Sequence, residues 1–406
     1  MLLRFRATNF ASIRDEQELS LIALDDHAEL ATTAVPLSKD QILPAAGVFG
    51  PNASGKSNLI KAMSFVRATV IESHQRWLPE DPIPRWPFRL DMESRIAPSE
   101  FVVEFVHDRV RYEYGFSLND TTILEEWLFS WPKGRRTVLF ERLGMEISFG
   151  SSLAGPKAAV AELVRENSLF LSAAAANNVP LLRSVAGWFG RWRQVTTGPP
   201  HRAPVQPLDD QTLRLLRYAD IGVIGAALVE QSADETGIGL AAPRLELIHK
   251  ARTDSGGESL PWAWESSGTQ VWFRLGRLAI SCLTEGTVLA IDDLGGDLHP
   301  LLTAQLVGLF QDRRTNPHGA QLIFTGHDVN LLGRHVEYRL RRDQVWLTAK
   351  DAGGATRVYP LTEYGRVRDG VYDVEGRYLQ GRYGAVPFFD KSLLEELVRE
   401  PVSDGA

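Results

Sequence analysis

The chain has a single cysteine, Cys282, among its 406 residues. One cysteine excludes an intramolecular disulfide and any CxxC metal framework, and such sparse use is typical of a reducing compartment. No apolar run approaches the roughly eighteen residues that a membrane span needs, and the first residues lack the apolar region of a signal peptide. We therefore expect a globular cytoplasmic protein without membrane segments.

The chain also lacks an excess of positive charge. Lys and Arg number 44 against 51 Asp and Glu, which gives a formal net charge of −7. This balance disfavours a protein that coats nucleic acid through its overall charge. The short basic stretches 133–136 and 339–342 are flanked by acidic residues, so we interpret them as solvated faces. The sequence leaves nucleic-acid binding open without indicating it.

A complete phosphate-binding loop is present. Segment 50–58, GPNASGKSN, matches the pattern G-x-x-x-x-G-K-[ST] and lies between a short apolar strand and a helical pattern. The glycines allow backbone N–H groups to surround phosphate oxygens, the lysine supplies positive charge, and the serine hydroxyl suits Mg²⁺. The predicted nucleotide-binding residues are Gly50, Asn52, Gly55, Lys56, Ser57 and Asn58.

A pair of acidic residues, Asp292 and Asp293, follows the apolar strand predicted over 287–291. A carboxylate at a strand tip beside the phosphate loop can hold Mg²⁺, and a second one can orient or deprotonate the attacking water. We assign Asp292, with Ser57, to the metal and Asp293 to catalysis. The alternative is a solvated turn, because Asp-Asp-Leu-Gly-Gly is also good loop composition.

Further motifs indicate a type of nucleotide-binding protein. Segment 265–270, ESSGTQ, precedes an apolar helix predicted over 271–283 and resembles the signature loop of ABC-type ATPases. Segment 297–300, DLHP, resembles a D-loop, and the strand over 322–326 leads to His327 in the position of the switch histidine. In this order, the motifs resemble those of the bacterial AAA/ABC-type ATP-binding proteins of the RloA/AbiLi phage-defence group, which are related to SMC heads.

The resemblance implies an α/β fold, a P-loop NTPase of the ABC/SMC-head type with mixed β-sheets and an inserted helical lobe. It implies ATP and Mg²⁺ as ligands, His327 as a catalytic residue, and a homo-oligomer in which each ATP lies between two chains. It also implies a separate effector protein, often a Toprim-type nuclease. The signature residues that would contact ATP bound to the other chain are Ser267, Gly268, Thr269 and Gln270.

The chain departs from its relatives at Asp293, where most of them carry Glu. The carboxylate is one methylene, about 1.5 Å, shorter, so we expect slow hydrolysis, which suits a switch. His299 stands where many ABC proteins place the D-loop aspartate. No glutamine can be assigned to a Q-loop.

We divide the chain into an N-terminal half of the ATPase lobe (1–154), a helical insert lobe (155–245) and a C-terminal half (246–406). The insert is too short and too interrupted by Pro and Gly for the coiled coils of SMC proteins, and no acidic cluster typical of a Toprim nuclease follows His327. The favoured function is an ATPase that acts as a sensor or scaffold and regulates a separate effector in bacterial phage defence. The alternative is a RecF-like DNA-repair ATPase on duplex DNA, and a structural protein with an inactive nucleotide site is the third.

Overall fold

The computed structural model describes residues 1–198, 208–219, 222–229, 244–252, 256–365 and 373–387. The strands in chain order are β1 (Leu2–Thr8), β2 (Gln17–Ser20), β3 (Thr33–Ala34), β4 (Gln41–Ile42), β5 (Ala45–Phe49), β6 (Ser99–His107), β7 (Val110–Leu118), β8 (Ile123–Ser130), β9 (Thr137–Leu143), β10 (Glu146–Phe149), β11 (Arg193–Thr196), β12 (Val223–Val229), β13 (Arg244–His249), β14 (Glu258–Pro261), β15 (Val288–Leu294), β16 (Gln321–Gly326), β17 (Val345–Lys350) and β18 (Thr356–Pro360). The helices are α1 (Lys56–Arg76), α2 (Met92–Ile96), α3 (Lys157–Ala161), α4 (Phe170–Ala176), α5 (Pro180–Gly190), α6 (Asp210–Ala219), α7 (Ser267–Glu285), α8 (Pro300–Gln311) and α9 (Val374–Leu379).

A six-stranded sheet with the order β11-β15-β16-β5-β17-β18 positions the candidate site. Its first five strands are parallel, and β18 returns antiparallel to β17. Every residue of β5 is buried, as expected for a parallel strand covered on both faces. The carboxyl ends of the parallel strands meet at one edge, where α/β folds of this kind bind ligands.

A second sheet is antiparallel throughout and has the order β10-β9-β8-β7-β6-β1-β2. Period-two alternation in the sequence predicts three of its strands, over 101–107, 110–116 and 125–131, and the structure has them as β6, β7 and β8 with small differences at their ends. It does not predict β9 and β10. One face packs on helices α1, α4 and α5 in the largest apolar core. There the rings of Phe105 and Trp188 stack with centroids 4.1 Å apart. The mixed-sheet α/β fold expected from the sequence is therefore present.

The expected helical lobe, residues 155–245, contains strands as well as helices. Helices α4 and α5 pack against α1, and α6 packs against α7. Strand β11 is the edge strand of the six-stranded sheet beside β15, and β12 pairs with β13 in a separate three-stranded sheet. The sequence does not reveal β11 because four residues are too few for a clear alternation. Residues 199–207, 220–221 and 230–243 lie outside the described part, and the three-part division of the chain stays a prediction.

No helix within the described residues is both long and apolar enough to cross a membrane.

A buried ionic cluster joins the loop after β2 to the start of β17. His27 Nε2 lies 2.8 and 2.9 Å from the two carboxylate oxygens of Asp343. The backbone N–H groups of Leu24 and Asp25 donate to the same carboxylate, and Asp25 pairs with the guanidinium of Arg342. The hydrogen bond to Asp343 raises the pKa of His27. The cluster therefore holds the N-terminal loop against the segment that precedes β17.

The raised pKa predicts how His27 contributes to stability. Its ionic contribution is complete below the unfolded pKa of about 6.5 and is lost as the pH rises through the higher folded pKa. We expect His27→Gln to lower the free energy of unfolding by about 1–3 kcal/mol at pH 5.5 and by less at pH 9. Urea unfolding at both pH values measures this, with the exposed His318→Gln as the control. An equal loss at both pH values would contradict the ionic role.

Candidate nucleotide-binding site

The phosphate loop connects β5 to α1. Gly55 is the N-cap residue of α1 and has φ 106°, a left-handed conformation that favours glycine. A Cβ atom added at Gly55 would collide with the hydroxyl of Thr356, and one added at Gly50 would collide with that of Thr348. The backbone N–H groups and the dipole at the N-terminus of α1 favour an anion. No acidic residue in the first turn opposes this preference. The loop is thus shaped as an anion cradle.

A cavity of about 580 Å³ lies against this loop at the carboxyl edge of the six-stranded sheet. It is lined by Asn52, Ala53, Gly55, Lys56, Ser57, Asn58, Thr196, Asp292, Asp293, Thr325, His327 and Lys350. The structure therefore brings together every residue predicted for the nucleotide, the metal and catalysis within one chain except Gly50. Gly50 lies at the start of the loop, where its carbonyl accepts a hydrogen bond from Lys56 Nζ at 2.8 Å.

Sequence reasoning missed Thr196, Thr325, Lys350 and Ala53 in this lining. Thr196 and Lys350 are the last residues of β11 and β17. They belong to no motif, and only the strand order of the sheet brings them to the cavity. Thr325 lies two residues before His327, in the strand that the sequence does predict. A search for polar residues at the ends of buried strands would have found it.

Thr325 holds both acidic residues at the tip of β15. Its hydroxyl donates to Asp292 Oδ1 at 2.7 Å and accepts from the backbone N–H of Asp293 at 2.8 Å. Asp292 is 9% exposed, whereas Asp293 is exposed. The pairing of β15 with β16 shifts register between Ile291 and Leu294, so the two aspartates occupy an irregular strand end.

The backbone of Asp293 is left-handed, with φ 65°. Among residues with a side chain, Asp and Asn adopt this conformation most readily, because a short polar side chain can bond locally. The conformation therefore suits Asp at the position where the resemblance leads us to expect Glu.

The electrostatics of the cavity link Lys56, His327 and the two aspartates. Burial lowers the pKa of Lys56, and the carboxylates of Asp293 and Asp292 oppose this change. Burial and the charge of Lys56 lower the pKa of His327, again against Asp293 and Asp292. The lowered pKa favours the neutral imidazole of His327, which can donate a hydrogen bond without carrying a charge.

The donor set fits a magnesium ion with a polyphosphate. The Ser57 hydroxyl and the Asp292 carboxylate line the same cavity as Lys56, and oxygen ligands of this kind suit Mg²⁺. The glycine cradle and the N-terminus of α1 suit phosphate oxygens. The residues present thus agree with the chemistry of a metal-bound nucleotide.

The signature segment begins a helix instead of preceding one. Helix α7 starts at Ser267, four residues before the predicted start at 271, because Ser266 caps it by accepting from the Thr269 N–H at 3.0 Å. Ser267 is exposed, and Gly268 and Thr269 are half-buried. None of the residues 267–270 lines the cavity of its own chain.

Gln270, the last of the predicted signature residues, makes contacts within its own chain. Its side chain is buried and donates hydrogen bonds to the carbonyls of Trp262 and Glu265 at 3.0 and 3.2 Å. The amide thereby satisfies carbonyls of the turn that precedes α7, which would otherwise lack partners. This side chain therefore points inward within its own chain, and the in-trans contact of Gln270 stays a prediction.

The D-loop segment lies beside the signature segment. A Cβ atom added at Gly268 would lie 3.1 Å from the carbonyl oxygen of Asp297. His299 caps α8, and its Nδ1 accepts from the Leu301 N–H at 3.2 Å. Close to the signature residues, Trp264 is 75% exposed. Two motifs and a large exposed aromatic side chain therefore occupy neighbouring parts of the surface.

The fold and the cavity define a P-loop NTPase. The chain belongs to the family described as "AAA domain, putative AbiEii toxin, Type IV TA system", which matches residues 45–333. No curated protein matches the chain. Among solved structures, the SMC head domain from Thermotoga maritima is similar at 11% identity and a TM-score of 0.39, over 88% of this chain and 98% of that one. That TM-score is too low to support an inference about function.

The geometry predicts that Thr325 is needed for metal-dependent binding. Thr325→Val removes a donor to Asp292 and an acceptor for Asp293, at a cost of about 1–3 kcal/mol for the buried groups left unpaired. We expect it to weaken ATP binding about tenfold in Mg²⁺ and little in EDTA, whereas Thr325→Ser retains binding. Calorimetric titration measures both, with exposed Thr315→Val as the control. Equal weakening with and without Mg²⁺ would contradict this role.

Proposed function

We propose that the protein binds and hydrolyses ATP with Mg²⁺ at sites completed by a second copy of the chain. In this proposal, nucleotide-dependent assembly regulates a separate effector in bacterial anti-phage defence. The main support is the convergence of Lys56, Asp292, Asp293 and His327 on one cavity at the carboxyl edge of the parallel sheet. This arrangement places a cation, two carboxylates and a neutral imidazole around the space next to the phosphate cradle.

Each side chain has a chemical role in this proposal. Lys56 and the N-terminus of α1 bind the outer phosphates. Mg²⁺, held by Ser57 and Asp292, would neutralise phosphate charge. Asp293 accepts a proton from the water that attacks the γ-phosphorus, and His327 donates a hydrogen bond to a γ-phosphate oxygen. The bond from the γ-phosphorus to the bridging oxygen breaks, and ADP and phosphate leave.

The exposed start of α7 supports a site shared between two chains. Ser267 and Gly268 form the N-terminal turn of a helix of 19 residues, yet they lie outside the cavity of their own chain. A helix N-terminus with a serine hydroxyl and a glycine N–H is suited to phosphate. The exposed Trp264 beside it is the type of residue that is enriched at protein interfaces. In the proposed dimer, Ser267, Gly268 and Thr269 contact the ATP bound to the other chain.

A mixing experiment tests the shared site. We expect Lys56→Ala to abolish ATP binding and assembly, and Gly268→Asp to abolish assembly and hydrolysis while its own cavity still binds ATP. In a heterodimer of the two variants, one site carries both defects and the other carries neither. Mixing the inactive variants should therefore restore part of the ATPase activity, as measured by phosphate release.

Light scattering on each variant with and without ATP measures assembly. Ser281→Asp, an exchange farther along the same helix, serves as the control for a new charge on α7. If Gly268→Asp alone hydrolyses ATP at the parental rate and mixing it with Lys56→Ala adds no activity, the site is complete within one chain.

Substitutions at Asp292 and Asp293 should separate the roles of the two aspartates. Asp293→Asn keeps a residue that tolerates the left-handed backbone, so we expect unchanged ATP affinity, a rate lower by about 10²- to 10⁴-fold, and a trapped dimer. Asp292→Asn should reduce Mg²⁺-dependent affinity as well as the rate. Asp293→Glu should raise the rate through its longer reach. Single-turnover assays at saturating ATP measure the chemical step, and a parental rate in Asp293→Asn would exclude Asp293 as the base.

The proposed defence role rests on the family and on the earlier resemblance. The description of the family names a putative toxin of a type IV TA system, and the resemblance to the RloA/AbiLi group implies an effector such as a Toprim-type nuclease. Affinity purification from the native host, with and without phage, tests whether an effector elutes with the protein in a nucleotide-dependent manner. A protein that elutes alone under all conditions would contradict regulation of a separate effector.

Duplex DNA binding, the RecF-like alternative, gains no support from the basic stretches. The guanidinium of Arg136 lies 3.6 Å from the ring centroid of Phe129 and 3.7 Å from a carboxylate oxygen of Glu141. In the second stretch, Arg341 pairs with Glu29 at 3.0 Å, and Arg342 belongs to the cluster described above. These arginines already contact groups of their own chain, which reduces the charge that they offer to phosphates.

A further inference from the structure

The β17–β18 hairpin supplies part of the nucleotide cavity, although it follows the last residue, 333, of the family match. Strand β17 runs parallel to β5, with Leu347 opposite Phe49. Because parallel strands end at the same edge, the end of β17 emerges beside the phosphate loop. Lys350, the last residue of β17, consequently lines the cavity of about 580 Å³.

Hydrogen bonds to the phosphate loop fix the position of this hairpin. The hydroxyls of Thr348 and Ser54 lie 2.6 Å apart, and the Thr356 hydroxyl donates to the Ser54 carbonyl at 2.9 Å. The Thr356 hydroxyl also lies 2.6 Å from that of Ser12. Lys350 lies between these two threonines in the chain, so both sides of the hairpin hold it against the loop.

Lys350 also lies at the boundary with a second cavity of about 480 Å³. The two cavities share Asn58 and Lys350. The other residues of the second lining are largely apolar: Ala11, Ser12, Trp86, Pro87, Phe88, Arg89, Leu90 and Gly354. A ligand could place a charged polyphosphate in the first cavity and a less polar group in the second. The junction between these two parts of the ligand would then lie next to Lys350.

The charge of Lys350 is available to a ligand. No ion pair of its ammonium group occurs among the residues that the structure describes, and the side chain is exposed. Among the described residues that line the phosphate cavity with the two aspartates, Lys56 is the one other lysine. A second cation would help to balance a bound triphosphate.

We propose that Lys350 is a nucleotide-binding residue that contacts the phosphate nearest the nucleoside, so that the C-terminal hairpin completes the site. This inference rests on the proposed binding of ATP. It deepens that function by adding a residue outside the matched family region. Lys350 binds and does not take part in proton transfer, so its loss affects affinity more than the chemical step.

The test compares Lys350→Ala with Lys350→Arg. We expect Lys350→Ala to weaken binding of both Mg·ATP and ADP about tenfold, the effect of losing one charge-assisted contact. Lys350→Arg should restore most of the affinity, and the rate at saturating ATP should stay near the parental value. Calorimetric titration measures affinity, and Lys133→Ala, which removes an exposed lysine from the turn between β8 and β9, is the matched control.

Two results would overturn the inference. Parental affinity of Lys350→Ala for both nucleotides would show that Lys350 does not bind them, and weakened ATP binding with unchanged ADP binding would move the contact to the last phosphate. Thermal unfolding without nucleotide excludes a structural role, because an exposed lysine should leave that transition unchanged. If the parental protein itself binds no ATP, the proposed function fails. That outcome differs from the two results above, in which the parental protein binds ATP.

Discussion

The parallel pairing of β5 with β16 on one side and β17 on the other is the constraint on which the rest of the site depends. It aligns Val48 with Thr325 and Phe49 with Leu347. The phosphate loop, His327 and Lys350 therefore leave the sheet at the same edge, although they are far apart in the chain. Strand β15, next to β16, adds the two aspartates at that edge. Because β5 and β16 are buried along their whole length, a shift of register would disturb the packing of their side chains on both faces.

At this edge the protein departs from regular strand geometry where the proposed chemistry occurs. The left-handed Asp293 and the register shift beside it are conformations that persist only when the surroundings hold them. Thr325 does so with a single hydroxyl, which bonds both the Asp292 carboxylate and the Asp293 backbone. The same strand that carries the histidine thus orients the acidic residues. A change in either strand would alter all these groups together.

The phosphate loop is also held from its far side. Thr348 and Thr356 occupy the space that side chains at positions 50 and 55 would need. Packing against these threonines therefore requires glycine at both positions, independently of nucleotide binding. The loop is therefore positioned by residues some three hundred positions further along the chain. This arrangement makes the C-terminal part of the chain a component of the candidate site.

The sequence by itself determined the local features: the cradle of the phosphate loop, the strand ending in Asp292 and Asp293, and the alternation of the antiparallel sheet. These depend on residues adjacent in the chain, whose spacing is set by backbone geometry. The tertiary structure alone decided that Thr196 and Lys350 reach the cavity, because strand order is a long-range property that no local motif encodes. It also decided that Gln270 points inward, since the carbonyls that bind its amide belong to a turn whose path depends on packing. The start of α7 at Ser267 follows from the Ser266 cap, a local signal that the apolar pattern of the helix obscured.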